Sequence, residues 1–460
     1  MSERDDGALW SGRFVGTPAA EAAALGRSVG FDLRLVEEDV RASVAHVEAL
    51  RAAALLSSAD ARRLSEALVE VGGAIAEPSF AVDPRDEDVH SVLERAVTDR
   101  LGELGARLHA GRSRNDLVVT DLRLWLLAAG RRVDDLTRAL ARALVERARD
   151  HTDTLMPGTT HGRPAQVVTL GHHLCAHAWA LTRDRERLAQ WSSRSATSPL
   201  GAGALATSTL DLDAHATAER LGFARAFENS IDAVSDRDFV QEWVGVSAIL
   251  ATHLSRLAAD LVRWCDPSLG WARMDDAYAT GSSMMPQKRN PDPAELARAK
   301  AGRLGGDFAA LVAVLEGLPL GYHRDLQEDK EPAFDAADTL ELVLPALIGA
   351  IRTVGFDVEA MRGACDDVGL YATDLAEALV AAGVPFREAH RRTGGLLRAL
   401  ERDGASLRYL DEEAWVSFGI SGGTTLLDPE RSVAARSGPG GPSPASVKAQ
   451  IDVLDALLAD

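Results

Sequence analysis

Trp243, Val246, Leu250, Leu254, Leu257, Leu261 and Trp264 recur at spacings of three and four residues. That spacing keeps one stripe of a helix apolar over about three heptads, the pattern of a coiled-coil seam. A helix of that length needs partners along its whole side, so the chain must be built from long helices packed as a bundle. Copies of the same chain in a symmetric assembly are the simplest source of such partners, which predicts a homo-oligomer.

The remaining sequence predicts an all-α chain with a long-helix bundle as its central domain and a smaller helical domain on either side. Aromatic residues make up only 5% while Ala, Leu, Arg and Glu dominate, a balance that favours helix. The first domain, 1–112, opens with an arm over residues 1–30 anchored by Trp10 and Phe14. Helical faces follow at Val36, Val40, Val44 and Val47 and at Leu64, Leu68, Val71 and Ile75. The acidic stretch 83–87 reads as a solvated turn and cap, and Val89 and Met156 as packing residues.

The central domain, 113–361, holds a helix through Val133, Leu136, Leu140 and Leu144, another following Gln166 through Leu170, Leu174 and Leu181, and another through Leu304, Phe308, Leu311 and Leu315. The apolar run from Pro332 to Ile351 contains Pro345, which should kink or break it. Short helices after Val358 make a third domain, 362–460, with a loose tract at 437–444 and a final face at Val447, Ile451, Leu454 and Leu458.

Charge and motifs narrow the function. A formal net charge of -19 argues against nucleic acid as a partner. No apolar run is long enough to span a bilayer, and acids stand near the N-terminus where a signal peptide would be apolar, so the expected compartment is the cytoplasm. Cys175, Cys265 and Cys365 are too scattered for a disulfide framework or a zinc site and read as reduced core residues. No phosphate-binding loop or dinucleotide fingerprint is present, and Gly201-Ala202-Gly203 reads as a turn. His173 and His177 have the spacing of two zinc ligands on a helix, but no third ligand accompanies them, so they read as a structural pair and no metal is expected.

The stretch 280–295, T-G-S-S-M-M-P-Q-K-R-N-P-D-P-A-E, is the most informative about chemistry. Its first half is a cationic loop with Lys288 and Arg289 and no acid. Its second half reads as a helix start, with Asp292 as N-cap, Pro293 at the first position and Glu295 completing a capping box. A basic loop entering a helix N-terminus suits a carboxylate or phosphate. Other candidate groups are the cluster Ser113-Arg114-Asn115-Asp116, the loop pair Thr160-His161, and the polar run from Tyr322 to Lys330. A loop histidine titrates near neutrality, and a guanidinium suits a carboxylate.

From Gly281 to Pro291 the loop resembles the signature G-S-S-x-M-P-x-K-x-N-P of the fumarase/aspartase superfamily. Leu9 to Phe14, Gly111 to Asp116, Met156 to Gly158, Ser198 to Leu205, Asn229 to Phe239, Asp325 to Pro332 and Gly383 to His390 resemble the argininosuccinate lyases within it. The likeness covers nearly the whole chain. It implies cleavage of argininosuccinate to arginine and fumarate by elimination, without metal or organic cofactor, in a homotetramer whose sites draw on three subunits. It makes Ser282 the base, has Lys288 and Asn290 hold the carboxylate, and makes His161 the acid or its relay, oriented by Glu295. Ser28, Ser113, Arg114, Asn115, Thr160, Tyr322, Gln327 and Lys330 would bind substrate.

A serine base needs its hydroxyl pKa brought down, at about 1.4 kcal/mol per unit. Lys288 and the helix N-terminus are the groups that the sequence offers for this. One departure stands out: where the family has L-Q-x-A-Q-P, this chain reads Gly162-Arg163-Pro164-Ala165-Gln166-Val167. Arg163 puts a cation beside the proposed acid and disfavours a second positive charge there. That motivates a second reading, a related lyase releasing fumarate from another N-substituted aspartate. A third, an inactive scaffold, is opposed by the presence of Ser282, Lys288 and His161.

Overall fold

The computed structural model describes residues 19–459 and is all-α, with three two-stranded pieces of sheet among those residues. Trp10 and Phe14, the expected anchors of the N-terminal arm, lie outside the described residues. The described chain gathers into two compact units. One holds the chain up to Arg132 together with Arg187–Ala248 and Leu304–Asp338; the other holds Val133–Glu186, Ile249–Arg303 and the chain from Thr339 onward. The helices Arg114–Asp150, Leu170–Ser195, Asp238–Trp264, Asp292–Leu315 and Lys330–Thr353 each contribute residues to both units.

In the first unit the helices Val36–Ala52 and Ser58–Ala76 form where the apolar periodicity predicts them, and a third, Val89–Leu101, follows the acidic turn. Ser57 caps the second by accepting from Asp60 N at 3.1 Å. Asp88 caps the third in a box with Ser91, whose N donates to Asp88 Oδ1 at 2.7 Å. The acidic turn before it is less solvated than its composition suggests. Asp86 is buried against Arg95 at 2.6 Å, because its carboxylate ties the turn to the helix it precedes.

Burial of large rings fixes the register of the long helices here. Trp191 donates to Phe239 O at 2.8 Å, Trp243 donates to Ala333 O at 3.1 Å, and the two indoles stand 5.0 Å apart. Each indole therefore satisfies its one donor while filling the core.

The seam from Trp243 to Trp264 is wholly buried, with no residue of it more than 7% exposed. The helices of the chain itself cover it, so it is not the surface on which copies would meet. Pro345 does not break its helix: Lys330–Thr353 runs through it. The ring faces solvent while Val343, Leu344 and Leu347 beside it are buried, so packing outweighs the lost hydrogen bond.

In the second unit the helix expected after Gln166 is present through Leu170, Leu174 and Leu181, and Gln166 itself lies in a strand that precedes it. Leu155–Thr160 and Arg163–Thr169 pair as an antiparallel hairpin, and the helix begins only at Leu170. The foot of the hairpin, at Leu155 and Val167, packs into a core with Tyr371, Leu375, Leu379 and Trp415. Tyr371 Oη donates to Cys365 O at 2.7 Å, and Cys365 is buried and free. The final helix, Pro444–Leu457, is capped by Ser443 and buries Val447, Ile451 and Leu454 as expected.

Gly130 lies against Trp191: a Cβ there would sit 2.3 Å from the Cζ3 atom of the buried ring. Gly130→Ala should lower stability by about 1–3 kcal/mol through overpacking, which a thermal melt against wild type measures.

Candidate active site

The first unit contains a cavity of about 290 Å³ whose walls bring together Ser28, Arg114, Asn115, Tyr322, Gln327 and Lys330. These six, drawn from three distant stretches of sequence, are among the residues expected to bind substrate. Ser113 stays outside the lining; its N donates to Asp116 Oδ1 and its Oγ accepts from Asn115 N, so it shapes the start of the Arg114–Asp150 helix. The buried Asp116 Oδ2 accepts from Gly201 N at 3.0 Å and Gly203 N at 2.9 Å. Both glycines have positive φ, so the glycine turn exists to aim two amides at this carboxylate. Asn115 Nδ2 donates to Ala204 O of the same turn at 3.1 Å, which orients its amide.

Sequence reasoning missed the acids of the cavity, Asp32, Glu87 and Asp88, together with His90, and gave no separate role to Arg324 within the polar run from Tyr322 to Lys330. Arg114 pairs with Asp88 at 3.0 Å, and Arg324 pairs with Glu87. Ser28 Oγ donates to Asp32 Oδ2, and Val89 N donates to Asp32 Oδ1 at 3.0 Å. Burial raises the Asp32 carboxyl above its ordinary range. Burial acts the same way on Asp88, but His90, Arg114 and Ser91 outweigh it and hold that carboxyl below the usual value. His90 is buried, yet Asp39 at 2.8 Å raises its pKa, so a positive imidazolium is favoured beneath the cavity. Burial also raises Tyr322, keeping its phenol protonated as a donor. The clue in the sequence was Asp-x-His at a helix start, which reads equally well as a simple cap.

Lys330 is held from below. Arg237 Nε donates to Asp329 Oδ2 at 2.6 Å and Lys330 Nζ to Asp329 Oδ1 at 3.1 Å, with all three side chains at most 4% exposed. One carboxylate thus serves two cations, which leaves a net positive charge at that wall. With Asp32, Glu87 and Asp88 also in its lining, the cavity suits a ligand that carries both a carboxylate and a cationic nitrogen.

The other expected residues lie in the second unit. Thr160 pairs with Arg163, so His161 and Gly162 alone make the turn of the hairpin. Their φ values are +54° and +74°. Two positive φ angles in a two-residue turn are the type I′ geometry, which matches the twist of the strands. His161 is therefore held at an exposed tip, beside exposed Arg163. Pro164 is accommodated at an irregularity in the pairing, where Gly158 faces Gln166 but Thr159 faces Pro164.

The signature loop is closed at its neck by an antiparallel bridge: Thr280 N donates to Asn290 O at 3.1 Å and Asn290 N to Thr280 O at 2.8 Å. Ser282 is half-buried, and its Oγ accepts from Met284 N at 3.3 Å and Met285 N at 3.1 Å. Two backbone donors aimed at one hydroxyl oxygen favour its alkoxide. The sequence did not reveal these two donors. Lys288 is exposed, and Asn290 half-buried at the neck. Arg289 is turned away, donating to Met274 O at 3.0 Å and pairing with Asp276. The loop's cationic character accordingly rests on Lys288.

The helix start differs from expectation by one residue. Ala294 N and Glu295 N both donate to Pro291 O, and the helix spans Asp292–Leu315. Pro291 is the cap because the bridge ends at Asn290 and forces the chain to turn there. Asp292 instead accepts a hydrogen bond from the Thr280 hydroxyl. The capping box does not form, and Glu295 stands exposed on the first turn. With Pro293 lacking an N–H and the next two amides used, the helix terminus offers an anion little beyond its dipole. Among the described residues, no hydrogen bond or ion pair joins His161 to Glu295 within the chain.

The helical architecture and this loop define a lyase: the family model described as Lyase matches residues 12–306. A second, described as Argininosuccinate lyase C-terminal, matches residues 369–434. Argininosuccinate lyase of Acidothermus cellulolyticus is 47% identical, the match covering 98% of this chain and 94% of that one. That of Frankia casuarinae is 48% identical, covering 98% of each. The chain belongs to the argininosuccinate lyase family.

Among solved structures, an EDDS lyase in complex with formate superposes with a TM-score of 0.84 at 29% identity, covering 96% of this chain and 91% of that one. A class II fumarase from Schistosoma mansoni shares the fold, with a TM-score of 0.75 at 15% identity, over 86% of this chain and 90% of its own.

Two substitutions test the buried charges. Asp329→Ala strands Arg237 in a dry site and should cost about 3–5 kcal/mol, measured by denaturant unfolding. Glu38, 6% exposed with Oε2 unpartnered, has its pKa raised by burial from 4.5 to about 7. A carboxyl whose folded pKa lies above its unfolded one loses stability as pH rises between the two values. Glu38→Gln should therefore stabilise the protein by roughly 1–3 kcal/mol near pH 8 and give no gain below about pH 4.5, seen as a melting difference that closes on acidification.

Proposed function

We propose that this chain is an argininosuccinate lyase that splits argininosuccinate into arginine and fumarate by β-elimination. The observation that carries this reading is the cavity at which Ser28, Asn115, Tyr322, Gln327 and Lys330 converge, with charges of both signs in its lining to suit a zwitterionic amino acid. In this reading Ser28, Ser113, Arg114, Asn115, Thr160, Tyr322, Gln327 and Lys330 serve substrate binding, Ser113 through the helix start that it shapes.

Ser282, its oxygen facing two amide donors, takes the proton from the carbon next to a carboxylate held by Lys288 and Asn290. The electron pair spreads onto that carboxylate and then forms the carbon-carbon double bond as the carbon-nitrogen bond breaks. The departing nitrogen keeps the bonding pair and receives a proton from His161. Stabilising the doubly charged carboxylate is the main demand, and fixed donors and cations meet it best.

The binding cavity and the Ser282 loop belong to different units of the chain. We propose a homotetramer in which copies complete one another's sites, and in which Glu295 orients His161 across such a contact. Exposed Ile249, Leu296, Phe308 and Leu342 on the long helices supply apolar surface for it. No helix among the described residues is long and apolar enough to cross a membrane; we place the enzyme in the cytoplasm.

A second reading, release of fumarate from another N-substituted aspartate, is favoured by Arg163 beside the His161 turn. Purified protein given argininosuccinate should raise fumarate absorbance, and Ser282→Ala should lower kcat by about 10²–10⁴-fold. Absence of fumarate from wild type, with turnover of a different N-succinyl amine, would transfer the proposal to the second reading.

A further inference from the structure

The helices Leu170–Ser195 and Asp238–Trp264 bring three metal-ligating side chains to one point in the second unit. His173 Nε2 lies 2.7 Å and His177 Nε2 2.9 Å from the same oxygen, Asp260 Oδ2, and the three ligand atoms all lie within 4.8 Å of one another. The histidines stand four apart on one helix face, and the third ligand that their own stretch lacks comes from the other helix. Trp264 packs edge-on to His173 with centroids 5.0 Å apart, which steadies that ring. His173 and Asp260 line a cavity of about 230 Å³ together with Met156, Pro157, Gly158 and Thr159 of the hairpin, while His177 lies outside the lining.

We propose that His173, His177 and Asp260 form a binding site for a divalent transition-metal ion of the zinc type, with its remaining coordination position open to that cavity. Two imidazole nitrogens and one carboxylate oxygen with an open fourth position are a donor set that such ions take. Bond lengths of about 2.0–2.2 Å in a tetrahedron separate neighbouring ligand atoms by roughly 3.3 Å. The observed 2.7 and 2.9 Å separations need to open by only about half an ångström, and the two Nε2 atoms already lie within 4.8 Å of each other. Binding an ion requires each imidazole to turn an Nε2 lone pair to it, with the ring proton carried on Nδ1. An ion here clamps the two helices at the foot of the hairpin. Arg263, on the same helix as Asp260, already donates to Thr159 Oγ1 and Gly162 O of that hairpin, each at 3.3 Å.

The test is titration of chelator-treated full-length protein with Co²⁺, followed by visible ligand-field absorption, and then displacement by Zn²⁺. The expected result is one Co²⁺ per chain with nitrogen-ligand bands that disappear as Zn²⁺ is added. Asp260→Asn preserves a hydrogen-bond acceptor for the histidines but removes the anionic ligand; His173→Gln alters a ring that is 30% exposed and so spares the core. Each, checked as folded by circular dichroism, should bind Co²⁺ at least about tenfold more weakly. Less than one equivalent bound by wild type, or unchanged affinity and spectrum in whichever variant folds, would overturn the site and leave a metal-free hydrogen-bonded clamp.

Discussion

A charge taken out of water has to meet an opposite charge, and much of the architecture of this protein follows from that requirement. Asp329 meets both Arg237 and Lys330 in a place with almost no solvent. Had the carboxylate been absent, two buried cations would repel each other at a cost that no packing gain nearby could offset. Because it is present, Lys330 stands fixed at the cavity wall. The same rule shapes the rest of the lining, where a buried His90 leans on Asp39 while Asp32 and Asp88 hold the residues around it. The site is polar because the frame under it is a matched set of charges, and the matching removes the freedom of those side chains to move.

Rigidity of a different kind serves the signature loop. A two-bond neck between Thr280 and Asn290 closes it, and the hydroxyl of Ser282 folds back onto the amides of Met284 and Met285. Lys288 remains exposed, so the loop combines a fixed oxygen with a cation free to reach a ligand. The hairpin does the corresponding work for His161, presenting it on a turn whose positive φ angles allow no slack. Both devices put polar side chains on short, tethered excursions from long helices, which is how a helical scaffold keeps precision at its surface.

The long helices were legible because their apolar spacing is a local property. The seam from Trp243 to Trp264, the faces near Leu64 and Leu144, and the final helix all follow from side chains three and four apart. The hairpin was not legible to a search for helical spacing, although Val167-Val168-Thr169 after a residue-Gly turn is a strand signal. The helix start after the signature loop was misplaced by one residue, because the bridge that ends at Asn290 is a pairing across ten positions of chain. Pro345 was over-read, since its penalty is local while the packing that outweighs it is not.

For the site, the signature loop and the polar runs identified Ser282, Lys288, Asn115, Tyr322, Gln327 and Lys330 as groups worth joining, because motif residues keep their order in the sequence. Which groups share a cavity was decided only by the fold, as with Asp32, Asp88, His90 and Arg324, whose partners lie far away along the chain. The pairing of His173 and His177 with Asp260, more than eighty positions distant, is of the same kind. The sequence by itself determined the long helices and the family, since both are written in spacing or in ordered motifs. Tertiary structure alone decided the matching of charges, because electrostatic energy depends on distance through space and a linear sequence carries no such distance.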